Sequence, residues 1–219
     1  MMFAHGFGCD QNMWRLVVPA FEDSHRVVLF DHVGAGQSDA SAYDRKKYST
    51  LEGYATDVLE ICHELQIRDV VFVGHSVSAM IGVLAAKQAP KLFRALILVG
   101  PSPRYIDDAD YVGGFSRQDI EGLLSSLDSN YLGWSSSMAP VIMGNPDRPE
   151  LGAELTTASA APIPRLRHTS RASPSFPTTG RISDKSVRPR SFCSAPTTSL
   201  LPSRLASTST ATSRRVSWW

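Results

Sequence analysis

Short runs of apolar, largely β-branched residues alternate with segments of helical periodicity over the first hundred positions. The runs are Met2–Ala4, Arg26–Phe30, Asp69–Val73 and Ala95–Val99. Because they are apolar at consecutive positions rather than at every second one, both faces of each strand must be covered. Strands of this kind separated by helices are typical of a sheet with helices on both sides. The sequence therefore predicts the α/β class with a mostly parallel sheet.

Helical periodicity predicts the connecting segments. A helix is expected over about 11–21, and another follows a capping-box pattern at Ser49–Glu52. Beyond the last predicted strand only helical patterns occur, from Gln118 to Leu127 and from Tyr131 to about Met143. This stretch is interpreted as an all-helical insertion into the sheet fold.

The composition changes abruptly near residue 155. The whole chain of 219 residues has 42% apolar and 20% charged residues and a net charge of +1, so no nucleic-acid partner is expected. Residues 1–154 contain 12 Lys and Arg against 20 Asp and Glu, whereas 155–219 contain ten basic residues and one acid, Asp184. Ser, Thr, Pro and Arg make up 40 of those last 65 residues. This segment is predicted to bury too little apolar surface to fold.

Several classes of protein are disfavoured by the sequence. No run approaches the roughly 18 apolar residues of a membrane span, and the first residues lack the basic region of a signal peptide. The three cysteines, Cys9, Cys62 and Cys193, have no metal-ligand spacing and cannot all pair, so a cytoplasmic location is expected. No metal or cofactor motif is present in the sequence, and neither is expected.

The segment Gly74–Ser78, between a predicted strand and a predicted helix, fits the nucleophile-elbow pattern G-x-S-x-G except at its last position. In such an elbow the turn is so sharp that the serine backbone is strained and the hydroxyl projects above the sheet edge. Gly74 leaves room for the turn, and Ser78 is small enough for helix and strand to approach, at some packing cost. Ser76 is therefore the candidate nucleophile. The alternative is a Ser-rich connection without a catalytic role.

A second motif, His5–Gly8, follows the first strand and matches the loop that supplies the other half of an oxyanion hole. The backbone N–H groups of Phe7 and Val77 would then point at the developing oxyanion. Alone this motif would be interpreted as a Gly-rich turn, but two motifs in this order and context support each other. The Gly-containing turn Asp31–Asp39 is interpreted as structural.

The strings that carry these motifs resemble one α/β-hydrolase subfamily, which contains the bacterial stress-response hydrolase RsbQ and the plant karrikin and strigolactone receptors. The matching core strings are Phe3–Gln11, Phe72–Gly82 and Val99–Tyr105, and the matching lid strings are Gly113–Phe115, Asn130–Trp134 and Asn145–Glu150. The resemblance covers about residues 1–155. The plant receptors share the serine at the end of the elbow.

The resemblance implies three regions: the first half of an α/β-hydrolase core over 1–103, a helical lid over 104–155, and a tail over 156–219. It implies a Ser-His-Asp esterase or lactonase for small apolar ligands, with Ser76 as nucleophile and His5, Phe115 and Trp134 as candidate pocket residues. The alternative is a ligand-sensing module that acts through a signalling protein such as a phosphatase. Packing explains the lid aromatics equally well.

The rest of the triad is not identified in the sequence. In this fold an acid and then a histidine follow the nucleophile, but His168 and Asp184 stand in reversed order and in no strand context. The tail is interpreted either as a genuine disordered basic segment or, in preference, as an out-of-frame translation of the second half. The family's N-terminal hairpin also has no counterpart, so an incomplete fold with loss of activity is expected.

Overall fold

The computed structural model describes residues 1–159 and 192–195. Its strands are β1 (Met2–Ala4), β2 (Val28–Phe30), β3 (Val70–His75), β4 (Phe93–Val99) and β5 (Phe192–Ala195). Its α-helices are α1 (Leu51–Glu64), α2 (Val77–Gln88), α3 (Arg117–Ser129), α4 (Tyr131–Met143) and α5 (Pro149–Ser159). Short 3₁₀ helices lie at Gln11–Trp14, Val18–Ala20, Ala40–Ala42 and Lys47–Ser49. The predicted α/β class is confirmed.

The five strands form one sheet in the order β2-β1-β3-β4-β5, and each pair of neighbours is parallel. The first strand along the chain therefore lies inside the sheet, where Ala4 pairs with Phe30 on one side and Gly74 on the other. Because all the strands run the same way, their carboxyl ends meet at one edge. The loops that follow β1, β2 and β3 start side by side at this edge.

Successive side chains of β1 point to opposite faces of the sheet, so they belong to two separate apolar clusters. Met2 and Ala4 pack with α1 and α2 on one face of the sheet. Phe3 points to the other face, where its ring lies 5.3 Å from that of Trp14 and 5.9 Å from that of Phe21. All three β1 residues are at most 1% exposed. Burial on both faces is the reason that the strand is apolar at every position.

The capping box expected at Ser49–Glu52 is wrong in detail. Thr50 is the N-cap residue of α1, but its side chain makes no capping hydrogen bond. Helix α1 is held instead by its buried face, where Ala55, Val58 and Cys62 are at most 1% exposed. Packing of an apolar face contributes more to helix stability in a folded protein than a single cap does.

The helix expected over 11–21 is also wrong. The segment forms two 3₁₀ helices, Gln11–Trp14 and Val18–Ala20, with Pro19 inside the second. Proline has no N–H to donate to the preceding turn and its ring clashes with it, so Pro19 disfavours one continuous α-helix in this segment. Trp14 and Val18 are nevertheless buried in the apolar cluster that contains Phe3 and Val73.

Two elements of the structure lie partly or wholly beyond residue 155. Helix α5 continues to Ser159, and Phe192–Ala195 pairs with β4 in the register Leu96↔Phe192 to Val99↔Ala195. The average composition of the tail concealed this strand, because four residues suffice to pair with the open edge of a sheet and satisfy its backbone groups. The other tail residues, including His168 and Asp184, lie outside the described residues.

Three helices follow β4 in the region expected to be the lid. Helices α3 and α4 confirm the two predicted from periodicity, and α5 is a third that the sequence did not indicate. Helix α3 begins with a capping box, in which the Ser116 and Asp119 side chains each bond the other's backbone N–H. An exposed ion pair between Glu154 of α5 and Arg15 links this region to the segment after β1. Within the described residues no helix is long and apolar enough to cross a membrane.

Two helical glycines differ in how much free space surrounds them. Replacing each with alanine should therefore have opposite effects on the free energy of unfolding. A Cβ at Gly82 in α2 would lie 2.5 Å from the ring of Phe72, which is fully buried, whereas one at Gly122 in α3 would meet nothing within 4 Å. We expect Gly82→Ala to lower the free energy of unfolding by ~1–3 kcal/mol through overpacking. Gly122→Ala should raise it by up to about 1 kcal/mol through helix propensity. Urea titrations of both variants measure the difference; equal effects would contradict this account.

Candidate active site

The site lies where the loops after β1 and β3 leave the sheet. Since Ala4 pairs with Gly74, Gly6 and Ser76 each follow a paired residue by two positions and emerge as neighbours. A Cβ placed on Gly6 would lie 3.3 Å from the Cβ of Ser76 and 2.4 Å from Nδ1 of His75. The sheet register thus brings the two sequence motifs together.

Ser76 has the strained backbone expected of an elbow nucleophile. Its φ is +55° and its ψ is −118°, outside the regions that L-residues normally adopt. The turn is held on both sides, because Ser76 N–H donates to the Val99 carbonyl at 2.8 Å and Ala79 N–H donates to the Ser76 carbonyl at 3.0 Å. Such conformations cost about 1–3 kcal/mol each and cluster at functional sites.

The elbow depends on Gly74. A Cβ at this position would lie 2.4 Å from the carbonyl oxygen of Ser78 and 2.8 Å from the backbone nitrogen of Ala79. The end of β3 therefore packs directly on the first turn of α2. Any side chain at Gly74 would force strand and helix apart and move Ser76 with them.

The two candidate oxyanion donors lie on the segments that this packing brings together. Phe7 follows Gly6, and its side chain is about half exposed. Val77 is the first residue of α2, so its N–H has no partner within the helix. Their assignment as donors stays a prediction, supported by the contact of Gly6 with the elbow.

A buried polar network lies directly beneath this loop. The Ser78 hydroxyl donates to the His5 carbonyl at 2.5 Å and lies 2.7 Å from Nε2 of His32. His32 N–H donates to Nε2 of His5 at 3.1 Å, and Nδ1 of His5 donates to the Gly6 carbonyl at 2.9 Å. Both imidazoles and Ser78 are buried.

This network changes the interpretation of two residues. Ser78 was expected only to fit at a packing cost, but its hydroxyl makes two hydrogen bonds. His5 was a candidate pocket residue, but it is 2% exposed and its ring nitrogens bond backbone groups, which favours a structural role. His32 was not recognised at all, because nothing in the sequence indicates that the turn after β2 reaches α2.

Burial keeps these imidazoles neutral. It lowers the pKa of His32 to about 3, with a smaller effect of the same sign from His5. Burial also lowers the pKa of His5, against the opposing effects of the Gly6 carbonyl and of Asp31 and Asp10. The pKa of His75 is lowered by burial and, secondarily, by His5. A cluster of three charged imidazoles in this volume is thereby avoided.

Asp31 has the structural role predicted for its turn. Its carboxylate accepts hydrogen bonds from the backbone N–H groups of Gln11 at 2.8 Å and Gln37 at 2.9 Å. Burial opposes its ionisation, but these hydrogen bonds outweigh burial, and the pKa of Asp31 lies below its usual value. Oδ1 also lies 4.0 Å from Nε2 of His5. Asp31 therefore ties the segments after β1 and β2 together.

The candidate lid residues occupy different positions. Phe115 holds the base of the lid, where its backbone bonds to Tyr105 and Asp107. Trp134 on α4 stacks on Tyr131 with ring centroids 6.4 Å apart. Within the described residues, Nε1 of Trp134 and the Tyr131 hydroxyl are buried without a hydrogen-bond partner. Burial, and next Cys9, raises the pKa of the Tyr131 hydroxyl.

The remainder of a triad is not brought to Ser76 by the described residues. His168 and Asp184, the histidine and acid that follow the lid in sequence, lie outside them. Residues 1–159 and 192–195 also contain no group of three His, Cys, Asp or Glu side chains that could hold a metal ion.

Two cavities in the described part of the chain lie away from Ser76. One of about 270 Å³ lies between α4 and α5, and one of about 580 Å³ lies between β2 and α1, beside Lys47 and Tyr48. Ser76 lines neither. The motifs and backbone geometry, rather than cavity volume, therefore locate the candidate site.

The buried imidazoles predict a loss of stability in acid. In the unfolded chain a histidine with a pKa near 6.5 takes up a proton below that pH, whereas the buried ring of folded His32 stays neutral. The free energy of unfolding therefore falls as pH drops below about 6.5. Between pH 7 and pH 5 the loss from His32 alone should be about 2 kcal/mol. Urea titrations at pH 7 and pH 5 measure it. The difference should shrink by that amount in His32→Gln but not in His63→Gln, which removes an exposed histidine; an unchanged difference in His32→Gln would contradict the prediction.

Sequence comparisons agree with this geometry. A family model described as the alpha/beta hydrolase fold matches residues 1–127. The chain is 48% identical over 144 residues to karrikin insensitive 2 receptor CA of Petunia hybrida, which covers 66% of this chain and 53% of the relative. It is 45% identical over 144 residues to strigolactone esterase D14 of Arabidopsis thaliana, and the matched region covers 66% of this chain and 54% of that relative. The chain thus spans about half the length of the curated relatives it matches.

A solved structure shows the same fold at comparable identity. A hydrolase from Oleispira antarctica is 43% identical and superposes with a TM-score of 0.69, covering 73% of this chain and 59% of that one. The parallel sheet, the strained Ser76 and the loop packed against it agree with the match over residues 1–127. The chain therefore belongs to the α/β-hydrolase family and is related to the karrikin and strigolactone receptors.

Proposed function

We propose that this chain derives from a hydrolase of small apolar esters or lactones that uses Ser76 as its nucleophile. The observation that carries the proposal is the backbone of Ser76, which at φ +55° sits in a strained turn against the Gly6 loop. A structural serine would gain nothing from such strain. The names of the relatives, an esterase and a receptor for small molecules, support the same class of ligand.

The geometry supports acyl transfer through a covalent intermediate. The Ser76 oxygen attacks the carbonyl carbon and loses its proton to a base, and the carbonyl oxygen becomes an oxyanion. The N–H groups of Phe7 and Val77 are the proposed donors to that oxyanion. Collapse of the tetrahedral intermediate expels the alkoxide and leaves an acyl-Ser76, which water then hydrolyses. This chemistry requires no cofactor.

The proton acceptor remains the unassigned part of this mechanism. We propose that the chain as written is a weak catalyst, because no described histidine follows Ser76 and the tail has the composition of an out-of-frame segment. The alternative is that the tail is genuine and His168 and Asp184 complete the triad. The coding DNA decides between them: the frameshift proposal requires another reading frame after codon 155 that encodes apolar strands and a Gly-His.

The buried polar atoms of Tyr131 and Trp134 in α4 support a ligand site beside that helix. The Tyr131 hydroxyl and Nε1 of Trp134 are buried polar atoms without protein partners in the described part of the chain. A ligand oxygen would satisfy them. Phe115 contributes by fixing the base of the lid, and the role proposed for Trp134 is contact with the ligand.

Ligand sensing is the second candidate function, and the receptor names of several relatives favour it. A sensor would bind a lactone beneath the lid and present a changed surface to a protein partner such as a phosphatase. Bound ligand would raise the melting temperature of such a sensor, while little hydrolysis product would be released. Measuring both quantities on one sample separates the two functions.

Labelling by a fluorophosphonate probe tests the role of Ser76. We expect the full chain to gain one phosphonyl group, located on Ser76 by mass spectrometry of the peptides. Hydrolysis of p-nitrophenyl acetate should be slow, within the ~10³–10⁴-fold over water that oxyanion binding alone provides. Ser76→Ala should lose the label, whereas the residual hydrolysis that oxyanion binding alone provides should persist. Ser102→Ala is the matched control, since Ser102 lies in the loop after β4 and its hydroxyl donates to the nearby Arg104 carbonyl.

The tail is tested by the same assay. Under the frameshift proposal, His168→Ala should leave ester hydrolysis unchanged. Brisk turnover that disappears in His168→Ala would show that the tail supplies the base and would refute the frameshift. Labelling at residues other than Ser76 would refute the nucleophile assignment.

A further inference from the structure

The Ser78 hydroxyl lies where three chain segments meet. Ser78 is in the first turn of α2, is 0% exposed, and contacts His5 from the loop after β1 and His32 from the turn after β2. Glycine is the residue that the elbow pattern prefers here, and the close contact of Gly74 involves only the Ser78 backbone. The hydroxyl is therefore not needed for the turn itself.

The direction of each hydrogen bond in this network can be assigned. A carbonyl oxygen only accepts, so the Ser78 hydroxyl gives its proton to His5 O, and Nε2 of His32 must carry the proton that it donates to Ser78 Oγ. Nε2 of His5 accepts from His32 N–H, so the proton of the His5 ring is on Nδ1 and is donated to Gly6 O. Both histidines are neutral and each is held in one tautomer.

These bonds fix the peptide plane that contains the Phe7 N–H. The Gly6 carbonyl and the Phe7 N–H belong to one peptide unit, and in a trans unit the two groups point in opposite directions. The Gly6 carbonyl accepts from Nδ1 of His5 at 2.9 Å and from Cys9 N–H at 3.2 Å. With the carbonyl fixed, the N–H is fixed on the other side of the loop.

We propose that Ser78 and His32 are positioning residues that orient the Phe7 N–H as an oxyanion donor. The Ser78 hydroxyl holds the His5 carbonyl, and the His32 ring holds that hydroxyl. The backbone N–H of His32 sets the tautomer of the His5 ring, and His5 in turn holds the Gly6 carbonyl. The loop is thereby tied to the same helix that carries Val77, so the two donors move as one unit. This proposal rests on the proposed function, since it assigns the orientation of a group that Ser76 chemistry uses.

A purely structural role for Ser78 makes a different prediction. Loss of a packing contact would weaken the core on both sides of α2, including Leu84 and Phe72. Loss of a positioning contact would act on Gly6 and Phe7 and leave the far end of α2 unchanged. The two alternatives therefore differ in where the molecule responds.

Kinetics of fluorophosphonate labelling provide the first test, with Ser78→Ala compared with the native chain. We expect the maximal rate of Ser76 labelling to fall about tenfold at an unchanged half-saturating probe concentration, less than the ~10²–10³-fold cost of losing a donor outright. His32→Phe, which removes the ring donor, should give a similar loss. Ser135→Ala is the matched control, because it removes another buried serine hydroxyl, in α4; it should leave the rate unchanged.

Amide NMR of the same full-length variants provides a test that does not depend on reactivity. In Ser78→Ala the Gly6 and Phe7 N–H resonances should shift and exchange faster with solvent, while that of Leu84 stays in place. An unchanged Phe7 resonance with an unchanged labelling rate would overturn the proposal. Shifts of equal size at Leu84 and Phe7 would also overturn it, in favour of a packing role.

The two tests separate this proposal from the proposed function. If the native chain takes no label at Ser76, the nucleophile assignment fails, and the NMR response of Phe7 alone decides whether Ser78 and His32 position the loop. If the native chain is labelled and Ser78→Ala is labelled equally fast, the nucleophile assignment stands and the positioning role is refuted.

Discussion

The parallel pairing of β1 with β3 is the constraint on which the site depends. Its register, Ala4↔Gly74, makes the two motif-bearing loops leave the sheet side by side. Without this pairing Gly6 and Ser76, seventy residues apart in the chain, would have no reason to touch. The pairing is stabilised by burial, since Met2, Phe3 and Ala4 together lie between two apolar clusters. A three-residue strand is sufficient here because it lies between two neighbours rather than at an edge.

Close packing of the loops after β1 and β3 restricts the backbone conformation of both loops. Gly6 and Gly74 each stand where a Cβ would overlap a neighbour, and Ser76 is held at positive φ by hydrogen bonds to β4 and within α2. Strain of about 1–3 kcal/mol persists only where the surroundings fix a conformation. The buried network of Ser78, His32 and His5 adds four hydrogen bonds to this packing, while Nδ1 of His32 has no hydrogen-bond partner in the described part of the chain.

Much of the fold and the centre of the site could be predicted from the sequence. Continuous apolar runs specified the strands, and the pattern around Ser76 specified the elbow, because both depend on local residue order. The helix over 11–21 failed because Pro19 outweighed the apolar stripe. The strand Phe192–Ala195 was missed because pairing with β4 depends on the open edge of a distant strand. The contact of His32 with Ser78 joins residues 46 positions apart, and no local pattern encodes it.

The histidines near Ser76 show why the missing base matters. His5, His32 and His75 all lie close to the elbow and are neutral by burial, which is the state a general base requires. Both ring nitrogens of His5 are engaged, and His32 donates through Nε2 to Ser78. Nδ1 of His75 lies 2.4 Å from the position that a Cβ of Gly6 would take, so the loop backbone packs directly on this ring. The rings of His5 and His32 therefore tie the loop after β1 to the elbow, and we propose that the base for Ser76 comes from another part of the structure.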